Sequence, residues 1–171
     1  MGVEIERKFL VTDDGWRREA TGRVHMIQGY LVDASAFRQG LARSSVRVRV
    51  TDSEAWLNIK SAKLGIERQE FEYPLPLDDA EIMLRTLCDG CVEKFRYLVP
   101  VQGHTFEIDE FLGDNEGLVV AELELPATDA PFPHPSWLGR EVSHMPRYYN
   151  VNLITHAWRD WSDAERAGEG A

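Results

Sequence analysis

The sequence has 171 residues and a mass of 19.5 kDa, which suits one domain whose core needs no disulfide or structural metal. Its 29 acidic residues outnumber 19 Lys and Arg, so the formal net charge is −10 and we expect neither nucleic acid nor membrane as a partner. No apolar run approaches the ~18 residues of a bilayer span, and the N-terminal segment does not resemble a secretory signal, so we expect a cytoplasmic protein. The sequence does not distinguish a monomer from a homodimer.

Apolar and polar residues alternate with period two along much of the chain, which predicts eight strands. Turn-forming segments such as 12–15, 63–65 and 113–117 separate these strands. The short connections favour antiparallel hairpins. In chain order, the predicted strands span residues 2–11, 23–33, 44–52, 55–62, 66–75, 92–100, 104–112 and 118–126.

Three segments are predicted to be helical. The clearest spans residues 78–88, where Asp78 or Asp79 can cap the helix and apolar residues recur on one side. A second helix is expected to begin near Ser136, and a third spans about 151–161.

Eight antiparallel strands with few helices indicate a mainly β (α+β) fold, either a closed barrel or a sandwich. No repeat or linker divides the chain, so we expect one domain over residues 1–161. The polar segment 162–171 is predicted to be a frayed tail.

Seven strands carry charged residues on one face and apolar residues on the other, as Arg47 and Arg49 do against Val46 and Val48. Either the apolar faces form a common core and the charges face solvent, or the strands close around a charged interior. Like charges spaced ~7 Å apart along a strand gain nothing on a plain surface. The charged positions are Glu4, Glu6, Lys8, Arg47, Arg49, Lys60, Arg68, Glu70, Glu72, Lys94, Arg96, Glu107, Asp109, Glu122 and Glu124.

A charged interior of this kind would bind phosphate and metal together. Lys and Arg bind phosphate oxygens, and Arg often does so in a bidentate fork. Clustered carboxylates hold a hard divalent ion, such as Mg²⁺ or Mn²⁺, which can bridge to phosphate oxygens.

Several motifs in order resemble the CYTH superfamily, the triphosphate tunnel metalloenzymes. The opening Glu4-Ile5-Glu6-Arg7-Lys8 matches the family's Glu-x-Glu-x-Lys signature, and further blocks follow over residues 2–155. These blocks are Gln28-Gly29-Tyr30-Leu31, Arg47-Val48-Arg49, Lys60, 67–72, 94–97, 106–109, 122–124, 137–143 and Arg147-Tyr148.

This resemblance implies an eight-stranded antiparallel barrel with a charged tunnel, together with residue roles. The implied catalytic residues are Lys8 and Tyr30. The implied substrate-binding residues are Lys8, Arg47, Arg49, Lys60, Lys94, Arg96 and Arg147. The implied metal ligands are Glu4, Glu6, Asp109, Glu122 and Glu124, with Glu70, Glu72 and Glu107 supporting them or holding a second metal.

The resemblance further implies a hydrolase that splits inorganic tripolyphosphate into pyrophosphate and phosphate with Mg²⁺ or Mn²⁺. The alternatives are a class IV-type adenylate cyclase, a thiamine or nucleoside triphosphatase, and a non-catalytic polyphosphate-binding module. One departure from the family pattern is Met145, which stands where relatives carry an acidic residue.

The sequence also contains a Cys-x-x-Cys motif at Cys88 and Cys91. It has no second Cys pair and no His at zinc-finger spacing, so we interpret it as a helix end with incidental cysteines.

Overall fold

Antiparallel strands build most of the fold in the computed structural model, which describes residues 2–32, 34–61 and 66–170. The eight predicted strands are present, with bounds that differ by only a few residues at their ends. The predicted ends at residues 33 and 62 and the predicted turn 63–65 lie outside the described residues. The strands are β1 (Gly2–Val11), β2 (Gly22–Tyr30), β3 (Ser44–Thr51), β4 (Ala55–Ser61), β5 (Glu67–Leu75), β6 (Cys91–Val101), β7 (His104–Phe111), β8 (Val119–Glu124) and β9 (Leu138–Glu141).

The first eight strands close into a barrel, which confirms the predicted fold. Their order around the barrel is β5-β4-β3-β2-β6-β7-β8-β1, and β1 pairs back with β5. β1 pairs with β5 over residues 2–5 and with β8 over residues 6–10, so it joins the two ends of the sheet.

Short helices connect or cover the strands. The α-helices of the described chain are α1 (Ala34–Arg38), α2 (Leu77–Thr86), α3 (Asn150–Leu153) and α4 (Asp163–Arg166). Shorter 3-10 helices occupy Gly15–Arg18, Gly113–Asn115, Pro146–Tyr148 and Trp158–Asp160. α2 confirms the clearest predicted helix, but Asp78 and Asp79 lie in its first turn rather than capping it, because Pro76 is the cap residue. In the first turn, the two carboxylates still interact favourably with the positive end of the helix dipole and so stabilise the helix.

The predicted helix near Ser136 is wrong, because this segment turns and enters β9. Only residues 2–5 of β1 pair with β5, so another strand can pair with that edge of β1 further along. β9 takes this place, with Val11 opposite Leu138 and Phe9 opposite Glu141.

The predicted helix over 151–161 is also wrong as a single element, because it divides into α3 and a 3-10 helix. The Asn115 side chain explains the break. Its Oδ1 accepts a hydrogen bond from the Trp158 backbone N–H at 2.9 Å, and its Nδ2 donates to the Leu153 carbonyl at 3.3 Å. Backbone groups that a continuous helix would pair internally are therefore bound to a side chain.

Apolar residues pack on both sides of the barrel wall. Outside β1 and β6–β8, a core forms around the fully buried Trp16 and the nearly buried Trp137, and α2 covers β3 and β4 through Ala80. A further cluster includes four inward positions next to charged ones: Leu10, Val92, Phe111 and Val120. They pack with the C-terminal Tyr148, Leu153 and Trp161, so an apolar layer bounds the charged interior on one side.

The C-terminal segment contains the short helix α4. Ser162 and Glu165 form a reciprocal capping box at its start. The Gly168 carbonyl then accepts a hydrogen bond from Arg140 at 2.5 Å, which ties the segment to β9. The domain boundary at residue 161 stays a prediction.

Candidate active site

The inward faces of β1 to β8 enclose a polar cavity of about 210 Å³. Residues two apart on a strand share a face, so each predicted charged pair points into the barrel together. Of the two arrangements that the sequence allowed, the structure has the charged interior. The lining residues are Glu4, Glu6, Lys8, Met26, Gln28, Tyr30, Ser45, Arg47, Arg49, Lys60, Arg68, Glu70, Glu72, Lys94, Arg96, Glu107, Glu122, Glu124, Tyr149, Asn150 and Val151.

Two predicted site residues do not line this cavity. Asp109 is 0% exposed: it is the register partner of Arg96 and is buried against Lys94 and Arg96. Arg147 packs its guanidinium 5.7 Å from the centre of the Trp161 ring, outside the lining.

Lys8 and Glu122 form a buried ion pair across β1 and β8, where they are register partners. Lys8 Nζ donates to Glu122 Oε1 at 2.5 Å and lies 4.0 Å from Glu6. Burial disfavours the ammonium charge, but Glu122 and Glu6 outweigh it and raise the pKa of Lys8. The ammonium therefore stays charged across the physiological pH range.

Asp109 holds two cations of the β6 wall in place. Arg96 donates to it through Nε and Nη2, both at 2.7 Å, and Lys94 Nζ donates to the same carboxylate. Burial and the neighbouring Arg96 lower the pKa of Lys94 to about 8. Asp109 thus positions Lys94 and Arg96, which face the cavity.

A second ion-pair cluster lies where β1 meets β4 and β5. Lys60 Nζ donates to both carboxylate oxygens of Glu4, at 2.7 and 2.9 Å. Arg68 Nη2 lies 3.8 Å from Glu4 and 3.5 Å from Glu6. The carboxylates at the start of β1 are therefore balanced by lysine and arginine.

The inner faces of β2 and β3 carry hydrogen-bond donors. Tyr30 is the register partner of Arg47, and Gln28 is the partner of Arg49. Arg49 donates to Glu72 at 3.0 Å, whereas Arg47, which is 8% exposed, forms no ion pair with a described residue. Burial and repulsion from Arg47 lower the pKa of Arg49. This face therefore carries positive charge that the described part of the protein neutralises incompletely.

A protein-family model, the CYTH domain, matches residues 2–156. The chain belongs to the CYTH family. It is 43% identical over 164 residues to an inorganic triphosphatase of Acetivibrio thermocellus, covering 95% of this chain and 100% of the relative. It is 33% identical to an inorganic triphosphatase of Nitrosomonas europaea, covering 88% and 96% of the two chains.

The CYTH barrel also matches solved structures. The crystal structure of an inorganic triphosphatase superposes with a TM-score of 0.62 at 33% identity, covering 90% of this chain and 95% of that one. The resemblance inferred from the motifs is therefore confirmed.

The carboxylates of this CYTH cavity have the chemistry of a divalent-cation site. Glu6 and Glu124 are register partners on β1 and β8. Partial burial and the negative charges of Glu4, Glu107, Glu6 and Glu70 raise the pKa of Glu124. A bound cation would relieve this repulsion, so the oxygen donors suit a hard divalent cation. Over residues 2–32, 34–61 and 66–170, no three His, Cys, Asp or Glu side chains already converge as a metal site.

Seven lining residues were not predicted as site residues: Met26, Gln28, Ser45, Arg68, Tyr149, Asn150 and Val151. Gln28 and Arg68 are the polar ones on the barrel strands β2 and β5. Arg68 lies on the charged face of β5, and its guanidinium stands 5.7 Å from the centre of the Tyr149 ring. Its position beside Glu70 and Glu72 in the period-two pattern was the available signal. Gln28 is uncharged, so a search for charged pairs could not select it.

Met145 has a structural explanation in this CYTH chain. It packs in the apolar layer with Val142, Tyr148 and Trp161. An acidic side chain at this place would be buried beside apolar groups, which is unfavourable without a partner.

Cys88 and Cys91 are free thiols. Burial raises the pKa of Cys88 to about 11, so the thiol stays protonated at neutral pH.

Among the helices of the described residues, none has the length and apolar character needed to span a membrane.

Proposed function

We propose that this protein is a divalent-metal-dependent inorganic triphosphatase that hydrolyses tripolyphosphate to pyrophosphate and phosphate. The observation that carries the proposal is the division of one cavity into a donor-rich face on β2 and β3 and a carboxylate-rich region around Glu6 and Glu124. Tripolyphosphate with a divalent cation has the complementary charges. The inorganic triphosphatases at 43% and 33% identity support this choice of substrate.

The cations of the cavity would bind the phosphate chain from several strands at once. Arg47 and Arg49 offer planar guanidinium groups suited to bidentate contacts with phosphate oxygens. Lys94 and Arg96 are held by Asp109. Arg96 also donates to Glu107 and Glu122, so these cations would reach substrate oxygens by exchanging carboxylate partners. Lys60 would exchange its Glu4 partner for substrate oxygens once a metal neutralises that carboxylate. Arg147 packs against Trp161, so we assign it to support of the apolar layer.

Glu4, Glu6, Glu122 and Glu124 are the residues that would hold Mg²⁺ or Mn²⁺. When bound, such an ion neutralises phosphate charge and lowers the pKa of water. Glu122 also binds Lys8 and Arg96, so it would link the metal region to the phosphate-binding cations. Glu70, Glu72 and Glu107 line the same cavity and would support these ligands.

Lys8 and Tyr30 are proposed to act at the reacting phosphorus. The ammonium of Lys8 stays charged and can stabilise negative charge on the phosphoryl oxygens as it develops. The Tyr30 hydroxyl can accept a hydrogen bond from the attacking water and hold it in line. The water oxygen forms a bond to phosphorus, the bridging P–O bond breaks, pyrophosphate leaves with the bridging oxygen, and the proton that the water gives up passes to the solvent.

The proposal includes a cytoplasmic location and a small-molecule substrate as the partner. Free thiols persist in the reducing cytoplasm, which agrees with Cys88 and Cys91 being unpaired.

The direct test is to assay purified protein for phosphate release from tripolyphosphate with Mg²⁺, with Mn²⁺ and after exhaustive chelation. We expect turnover with metal and none without it. In Glu6→Ala, turnover should be abolished while the circular dichroism spectrum is kept, because the change removes a ligand and relieves carboxylate repulsion. Arg18→Ala, at an exposed site outside the cavity, is the control and should behave as the native protein does.

The same assay separates the alternatives. Cyclic AMP from ATP would indicate a cyclase. Preferred release of phosphate from thiamine triphosphate or ATP would indicate an organic triphosphatase. Binding without turnover would indicate a polyphosphate-binding module. Turnover that survives chelation would contradict the metal assignment.

A further inference from the structure

Gln28 is a buried amide in the wall of the charged cavity. Its side chain lines the cavity between Met26 and Tyr30 on the inner face of β2, and the residue is only 1% exposed. Its register partners are Arg49 on β3 and Val92 on β6.

The amide nitrogen of Gln28 is buried, and no atom of the described chain accepts a hydrogen bond from it. Burying a polar group without a partner disfavours folding, so such groups are rare in protein interiors. The Nε nitrogens of Arg47 and Arg49 are also buried without an acceptor. Three buried donors without an acceptor in the described chain therefore belong to cavity-lining residues on adjacent strands.

A neutral donor suits this particular position. The pKa of Arg49 is lowered by burial and by repulsion from Arg47. The positive charge on the β2–β3 face is therefore already unfavourable to the folded state. A further cation at position 28 would add to this repulsion. An amide adds an N–H donor without adding charge.

We propose that the Gln28 side-chain amide donates a hydrogen bond to a phosphoryl oxygen of the bound triphosphate. This inference rests on the proposed function and names a further substrate-binding residue for it. Gln28 then contributes affinity at the expense of the ligand-free fold, where its donor has no acceptor in the described chain. This combination predicts opposite effects on binding and on ligand-free stability when the amide is removed.

The test compares Gln28→Met with the native protein. Methionine keeps the length and approximate volume of the side chain but removes the donor. Gln28→Leu is a second variant in case methionine packs poorly. Ile27→Val is the control, because Ile27 is half-buried on the same strand, does not line the cavity and has no proposed role.

The ligand for the test is an imido-bridged, non-hydrolysable tripolyphosphate analogue with Mg²⁺, and calorimetry measures its dissociation constant. Losing a hydrogen bond to a charged group corresponds to roughly tenfold to a hundredfold weaker binding. We expect this loss in Gln28→Met together with an equal or higher ligand-free melting temperature. Ile27→Val should bind as the native protein does.

The salt dependence of binding separates a neutral donor from a cation. Arg49→Met should weaken binding and also flatten its dependence on KCl concentration, because it removes a charge that salt screens. Gln28→Met should weaken binding by a similar factor at low and high KCl, leaving the slope unchanged. The salt slope therefore separates loss of a neutral group from loss of a cation, and the ligand-free melting temperature separates a direct contact from a residue that acts only through the fold.

Each other outcome overturns the proposal. If the native protein binds the analogue and Gln28→Met binds it equally well, the amide makes no contact with phosphate. If both Gln28→Met and Gln28→Leu lower the ligand-free melting temperature, the amide stabilises the fold instead. If the native protein itself fails to bind the analogue, the proposed function fails, and this result is distinct from the first two.

Discussion

Arg47 illustrates at the level of one residue how binding and stability can oppose each other. Its guanidinium is buried in the cavity wall and forms no ion pair with any described residue, whereas Lys60 and Arg96 are held by carboxylates. A cation without a protein partner gains most when a phosphate enters. Arg47 is therefore expected to contribute strongly to substrate binding.

Arg47→Lys should lower kcat/KM by roughly tenfold or more, because lysine keeps the charge but loses the bidentate fork. Steady-state assays with tripolyphosphate measure the effect. The matched control is Arg159→Lys, since Arg159 is exposed, pairs with Asp114 and does not line the cavity. Equal losses in the two variants would mean that geometry at position 47 is unimportant.

The thiol of Cys88 offers a second residue-scale prediction. Burial raises its pKa from 9.0 to about 11, because the side chain packs between α2 and Gly29 of β2. In Cys91→Ser, which leaves one thiol, alkylation by iodoacetamide near neutral pH should be about 100-fold slower than for an ordinary cysteine, since the thiolate reacts. Unfolding in urea should restore the ordinary rate. A fast reaction in the folded protein would show that Cys88 is accessible and unperturbed.

At the scale of elements, the strands were predictable and the C-terminal segments were not. Period-two alternation is a local property of the chain, and it located β1 to β8 closely. β9 forms because part of one edge of β1 is left free by β5, and α3 ends because Asn115 binds its backbone. Both depend on contacts distant in sequence, which local patterns do not record.

The site residues also divide into those that a local pattern reveals and those that it does not. Charged residues that alternate on strands, such as Glu6 and Arg49, do face the cavity. Asp109 shares that alternation but is buried against Arg96, since the pattern gives the face and not the depth. Gln28 also lines the cavity, but it is uncharged, so the pattern of alternating charged residues does not identify it.

The β9–β1 contact gives an element-scale prediction. A Cβ at Gly139 would lie 2.8 Å from the Leu10 carbonyl oxygen and 3.0 Å from Thr12 Cγ2. Because the nearest atom belongs to the backbone, Gly139→Ala must push β9 away from β1, at a cost of about 1–3 kcal/mol in the free energy of unfolding. Urea denaturation measures this loss.

Gly22→Ala is the matched control for Gly139→Ala. It also lies in a strand, but a Cβ there would meet Leu98 at an ordinary contact distance of 3.7 Å. We expect little change in its unfolding free energy. If Gly139→Ala proved as stable as Gly22→Ala, the close approach of β9 to β1 would be wrong.

At the scale of the whole molecule, a protein of net charge −10 encloses a cavity lined by seven Lys or Arg and seven Glu side chains. Arg47 and Arg49 on β3 form its cationic wall. Several of the other lining cations form ion pairs within the cavity, as Lys8 does with Glu122, and desolvation opposes these pairs. The ligand-free fold therefore carries a cost that a triphosphate with its metal can relieve.

This relief should appear as ligand-induced thermal stabilisation. A non-hydrolysable triphosphate analogue with Mg²⁺, at 100 times its dissociation constant, should stabilise the fold by about 2.7 kcal/mol. For a chain of this length, that corresponds to a rise of roughly 5–11 °C in Tm by calorimetry, with orthophosphate giving much less. Arg47→Ala should lose most of this rise while keeping or slightly increasing the ligand-free Tm, because it removes a buried charge that forms no ion pair in the described chain. Arg159→Ala should retain the full rise. A large fall in the ligand-free Tm of Arg47→Ala would identify Arg47 as a structural residue, and the cationic wall would then serve the fold rather than the substrate.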